Sequence, residues 1–122
     1  MKVVVKITKQ FQSASKVLIR RYPSFLKDLS LLEKDLLKNP KMGTSLGHGT
    51  FKIRLKISSK GRGKSGGARV ISLLETSFII EVLKSENEII VNLLYVYDKS
   101  DIETLTDREL KDLIAAFYST RL

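Results

Sequence analysis

The sequence predicts an α+β fold in which an N-terminal strand and a helical hairpin pack on a small twisted, mainly antiparallel sheet, with a C-terminal helix. Three observations carry this reading. Apolar residues recur at helical spacing between Phe11 and Leu36, they alternate strictly from Phe51 onward, and a capped amphipathic helix follows Thr106. A single domain over residues 1–122 is expected, since compact domains commonly run to ~100–150 residues. The chain is 43% hydrophobic and 29% charged, a globular composition that excludes a disordered basic tail.

The elements succeed one another in a clear order. Val3 to Ile7 is β-branched and reads as a strand, with Thr8 placed to cap the first helix. Phe11, Ala14, Leu18 and Tyr22 share a helical face that stops at Pro23, because proline disfavours the α conformation of the residue before it. A second helix starts at Ser24, buries Phe25, Leu29, Leu32 and Leu36, and ends at Asn39-Pro40. Gly43, Gly47 and Gly49 mark a loop. Beyond it Phe51, Ile53, Leu55 and Ile57 point one way and Lys52, Arg54 and Lys56 the other. Ser58 to Gly67 reads as a flexible turn, Arg69 to Leu74 as a strand, and Phe78 to Leu83 as its continuation or restart. Ser85 to Glu88 is read as a turn. Ile89 to Tyr97 is apolar at nearly every position, as suits a central strand covered on both faces. Thr106-Asp107-Arg108-Glu109 forms a capping box ahead of Leu110, Leu113, Ile114 and Phe117.

Charge is distributed unevenly along the chain. The formal net charge is +9, and no acid occurs between Leu36 and Leu74, where Lys38, Lys41, Lys52, Arg54, Lys56, Lys60, Arg62, Lys64 and Arg69 supply 9 positive charges. Elsewhere acids and bases balance. A solubilising face normally mixes both signs, so this block reads as a binding surface for nucleic-acid phosphates. A membrane surface fits less well, because these cations lie on a strand and a loop and not on an amphipathic helix. The absence of Cys fits a reducing cytoplasm, and no apolar run reaches the ~18 residues of a membrane span.

Several chemistries are excluded. Gly63-Lys64-Ser65 resembles the end of a phosphate-binding P-loop, but Ser58 stands where its first glycine belongs, and Gly66-Gly67 leads into a strand instead of a helix. The block contains only His48 and no acid, so no metal or other cofactor is expected. His48, between two glycines, reads as an exposed loop residue, and no Ser or Cys is paired with a base for nucleophilic catalysis. Tyr95 and Tyr97 share a face. Tyr95 is expected in the core, whereas Tyr97 at the strand end is placed to expose its phenol to RNA.

Three segments, Phe51-Lys52-Ile53-Arg54-Leu55-Lys56, Gly63-Lys64-Ser65-Gly66-Gly67-Ala68-Arg69-Val70-Ile71 and Leu94-Tyr95-Val96-Tyr97-Asp98-Lys99-Ser100-Asp101, resemble the RelE/HigB group of the RelE/ParE toxin superfamily. The resemblance covers most of the chain. It implies a RelE-like fold and the toxin of a type II toxin–antitoxin system, a ribosome-dependent endoribonuclease that cuts mRNA without a metal and is restrained by a DNA-binding antitoxin. It also implies that Lys56, Lys60, Arg62 and Lys64 line the RNA site, that Arg69 stabilises the scissile phosphate, and that Tyr97 or Lys99 orients or transfers a proton; the cationic strand face adds Lys52 and Arg54 as RNA-binding residues. Lys64 or Lys56 is the expected base, its pKa lowered by neighbouring cations, with Tyr97 the competing candidate. Leu74 to Ile90 is longer than the resemblance leads one to expect and implies an extended hairpin. A gyrase inhibitor of the same superfamily and a non-catalytic nucleic-acid-binding module are the alternative readings.

Overall fold

The computed structural model describes residues 2–60, 67–81, 84–102 and 104–120, and leaves the side chains of 77–86 undescribed. Its elements are β1 (Lys2–Ile7), α1 (Lys9–Arg21), α2 (Phe25–Lys38), β2 (Thr44–Gly47), β3 (Thr50–Leu55), β4 (Ala68–Glu81), β5 (Lys84–Asp98) and α3 (Asp107–Ser119), with a 3-10 turn at Ser58–Lys60. The strands form one sheet in the order β1-β5-β4-β3-β2, antiparallel except for the parallel β1–β5 pair. The chain is therefore α+β with a C-terminal helix, as the sequence predicts.

The helix ends obey the sequence signals. Thr8 Oγ1 accepts the Phe11 N–H at 3.2 Å, which satisfies one of the donors a helix start leaves open. Tyr22, ahead of Pro23, leaves α1 with extended backbone at φ −127° and ψ 111°. At α3, Thr106 Oγ1 accepts the Glu109 N–H at 3.1 Å while Glu109 Oε1 accepts the Thr106 N–H at 3.0 Å, completing the capping box.

The sheet is covered on both faces. Phe11, Leu18, Phe25, Leu32 and Leu36 of α1 and α2 pack with Ile53, Leu55, Val70, Val91, Leu93 and Val96 on one side. On the other side, Leu110 and Phe117 of α3 pack with Ile71, Leu73, Leu94 and Tyr97. Two covered faces explain why β5 is apolar at almost every position. Between them β5 changes phase. The β4–β5 register slips between Ile71 and Ser72, which face Tyr95 and Leu93, so Leu94 has no partner in the ladder. Before this bulge the odd residues Val91 and Leu93 face the helical hairpin, and after it Tyr95 and Tyr97 face α3.

Three local expectations are corrected. Ser85 to Glu88 is strand and not a turn: Ile79 pairs with Glu86 and Ser77 with Glu88, and β4 runs unbroken from Ala68 to Glu81. The loop carrying Gly43, Gly47 and Gly49 contains the short strand β2, which returns through His48, exposed and itself in the left-handed region at φ 54°. The start of the Ser58–Gly67 turn is ordered as a 3-10 turn. Asp28 on α2 accepts the Ser58 N–H (2.9 Å) and Oγ–H (2.6 Å), and these bonds outweigh burial and hold its carboxyl below the usual range.

Candidate nucleic-acid interface

The alternation of β3 sends Phe51, Ile53 and Leu55 into the hairpin-side core and leaves Lys52 and Arg54 on the α3 side. The ladder then aligns them with β4 and β5. Arg54 pairs with Arg69, and Arg69 pairs with Tyr97, forming one row across three strands; the adjacent row is Lys52, Ile71 and Tyr95. Arg54 is exposed and Lys52 half-buried. The two tyrosine rings lie 6.3 Å apart between centroids, tilted by 36°. Two guanidinium groups and two aromatic rings thus converge on one face, a composition that suits phosphate and base contacts.

Two members of the row are less accessible than the sequence leads one to expect. Arg69 is 6% exposed, and its Nη1 donates to the Ala68 carbonyl at 3.1 Å. Tyr97, expected to present its phenol at the strand end, is 4% exposed under α3, because the bulge turns it into the second core. Its hydroxyl is buried without a hydrogen bond of ordinary geometry. Burial raises its pKa above the usual phenol value, and the charge of Arg69 and the Leu105 N–H offset this only in part. A phenol held this way stays protonated at neutral pH, so it is unavailable as a base and can act only as a donor.

Lys60 belongs to a different constellation. Its Nζ donates to Asp98 Oδ1 at 2.8 Å and lies 5.1 Å from the centroid of the Tyr22 ring. Asp98, 3% exposed, also accepts from Tyr22 Oη (2.6 Å), Arg21 Nη1 (2.9 Å), Ser100 N (3.0 Å) and Ser100 Oγ (2.6 Å). Burial alone would raise the Asp98 pKa, but the bonds from Lys60, Ser100 and Tyr22 reverse the sign and hold it well below the usual carboxylate range. Lys60 shows the mirror effect: burial lowers its pKa, and Asp98 more than restores it. Lys60 therefore anchors the 3-10 turn on the hairpin side and does not join the Arg54–Arg69–Tyr97 row. Sequence reasoning missed Asp98, whose only signal is an acid closing an apolar strand.

The remaining expected residues are spread around this frame. Lys56 is exposed just beyond β3, and Lys99 is half-buried just beyond β5, where its N–H donates to the Gly67 carbonyl at 3.1 Å. Gly67 sits against the Leu55 carbonyl so closely that a Cβ would collide with it, which makes glycine the residue that fits there. Arg62 and Lys64 lie outside the described residues. The described residues on either side of them, Lys60 and Gly67, both bond to the close of β5, Lys60 to Asp98 and Gly67 to Lys99.

Among the described residues no group of three or more His, Cys, Asp or Glu side chains is arranged to hold a metal, and no helix is long and apolar enough to cross a membrane. No protein-family model matches the chain, and no solved structure matches it.

Proposed function

We propose that the chain is an RNA-directed toxin of the RelE/HigB type, an endoribonuclease that cuts mRNA on the ribosome and is held inactive by a DNA-binding antitoxin. The observation that carries this reading is the Arg54–Arg69–Tyr97 row, flanked by Lys52, whose cations belong to the acid-free block that holds the whole net charge. The chemistry needs no metal. The RNA 2′-oxygen attacks the adjacent phosphorus, the bond to the 5′-oxygen breaks, and the products are a cyclic phosphate and a 5′-hydroxyl. Arg54 and Arg69 neutralise charge developing on the phosphate oxygens. Tyr97 serves as the proton donor to the leaving oxygen, as a phenol that stays protonated at neutral pH. The proton from the 2′-hydroxyl goes to Lys56 or Lys64, with Lys99 orienting the phosphate.

A second reading is a nucleic-acid-binding protein without catalysis, and the burial of Arg69 and Tyr97 favours it, since a catalytic residue must meet the reacting atoms. Induction of the chain alone in cells, with message ends mapped by primer extension, separates the two. Codon-phased 5′ ends support the nuclease. Intact message with nucleic-acid binding supports the second reading, and intact message with induced DNA damage points to gyrase.

A further inference from the structure

The basic block is free of acid along the chain, but in space it meets carboxylates from α2. Asp28, Leu31, Leu32 and Asp35 recur at helical spacing, so they form one stripe of that helix. The stripe faces β3 across a pocket at Arg54 to Lys56, past Lys52, where the pairing of β3 with β2 stops. The pocket measures about 310 Å³, with apolar walls from Leu31, Leu32 and Met42 and charged groups from Asp35, Arg54 and Lys56. Apolar walls with a few placed polar groups are the usual form of a small-ligand site, and this volume lies at the small end of the ~300–1,000 Å³ range.

The charged groups differ in how far they are already engaged. Asp28 is 4% exposed, and Ser24 and Ser58 donate to both of its oxygens. Asp35 is exposed, and among the described residues its carboxylate forms no ion pair, with Arg54, Lys56 or any other cation. Leu31 on the same stripe is 50% exposed, an apolar wall open to a ligand. Arg54 borders the pocket and also belongs to the Arg54–Arg69–Tyr97 row. A group seated in the pocket therefore lies next to a phosphate held on that row.

We propose that this pocket takes one unstacked base of the bound RNA and selects guanine, with Asp35 as the specificity-determining residue. The inference rests on the RNA-directed reading of the row. Single-stranded RNA is read by splaying bases out, packing their faces and bonding their Watson–Crick edges. Leu31 and Leu32 supply apolar surface for the ring, and the Met42 thioether makes favourable contact with an aromatic edge. An ionised carboxylate only accepts hydrogen bonds, so it selects a base edge built of donors. Guanine presents two adjacent donors there, N1–H and N2–H, which match the two oxygens of Asp35 in a bidentate, charge-assisted pair. Adenine and cytosine place an acceptor nitrogen beside their amino group, and uracil flanks its one N–H with two carbonyls, so each sets a lone pair against the carboxylate. Arg54 and Lys56 hold the phosphate of the same nucleotide.

Fluorescence anisotropy of the full chain tests this with a labelled uracil-only RNA, and with the same strand carrying guanosine, inosine, adenosine or cytidine at one central position. The guanosine strand should bind roughly 10- to 100-fold tighter than the others, the scale of one bidentate base contact. Inosine keeps N1–H and lacks the N2 amino group, so it isolates the second bond. Asp35→Asn should remove the guanine preference while the uracil-only strand binds as well or better, because a negative charge beside the phosphates is gone. A misfolded variant would weaken both strands. Glu33→Gln, on α2 but outside the pocket, should keep the preference. Equal affinity for the guanosine and inosine strands, or a guanine preference that survives Asp35→Asn, overturns the guanine subsite and leaves the RNA reading standing. No binding to any strand overturns both. Guanine-selective binding that depends on Asp35, without cleavage of ribosome-bound message, supports the subsite and overturns the nuclease alone.

Discussion

Replacing Asp98 with alanine should cost more stability than any surface substitution in the chain. Its carboxylate is 3% exposed and gathers Lys60, Tyr22, Arg21 and Ser100 from three separate segments. Arg21 is exposed and contributes little, but the Lys60 side chain is only 14% exposed and would be left as a largely buried charge. Removing one partner of such a pair typically costs about 3–5 kcal/mol. Asp98→Asn keeps an acceptor for Tyr22 and Ser100 and should lose about 2 kcal/mol. The pH dependence has a definite sign. The folded Asp98 pKa lies below its unfolded value of ~3.9, so its contribution is full above that value and is lost as pH falls toward the folded value. Lys60 is raised, so its share is full below ~10.4 and lost only as pH rises through its folded value. Urea denaturation at neutral pH and at pH ~3 would measure the acid-side effect. The wild type should lose part of its advantage over Asp98→Asn in acid. A loss below about 1 kcal/mol for Asp98→Ala at neutral pH, or a difference that does not narrow in acid, would refute the assignment of Asp98 as the clamp.

Other expectations rest on the same frame. Thr106→Ala removes the side-chain half of the capping box and should destabilise by about 1 kcal/mol in thermal or urea melts, with the loss confined to α3 in hydrogen exchange. Tyr97→Phe deletes a buried hydroxyl without a hydrogen bond of ordinary geometry, so stability should hold or rise by up to ~1 kcal/mol while RNA cleavage is lost, which separates a proton donor from a packing residue. Lys52→Ala with Arg54→Ala should flatten the dependence of log Kd for RNA on log salt by up to ~2, whereas Lys16→Ala with Arg20→Ala should leave it unchanged.

Local signals are the legible part of this fold. Thr8, Pro23, Asn39 and the Thr106–Glu109 box act within a few residues of their own position, and each marks the boundary the structure shows. The cationic face of β3 is also legible, because strand alternation is a property of the strand itself. The hidden part is non-local. Ser85 to Glu88 has turn-forming composition, yet cross-strand pairing with Ser77 to Ile80 makes it strand. An amphipathic pattern shows that α3 buries a face but not that it covers the side of the sheet opposite the hairpin. The bulge at Leu94, which carries Tyr97 under α3, has no glycine to announce it. A count of acids along the chain leaves Lys60 uncompensated, although its acid lies 38 residues away at Asp98.

The central claim is that the Arg54–Arg69–Tyr97 face cleaves RNA. Cleavage of a short message on purified ribosomes, compared for the wild type, Arg54→Gln and Lys16→Gln, tests it most directly. Arg54 is exposed, so its loss should spare the fold while lowering the rate by about 100-fold, the scale for removing one group that stabilises developing charge. Lys16→Gln should match the wild type. No cleavage by the wild type, or equal rates for all three, would contradict the claim.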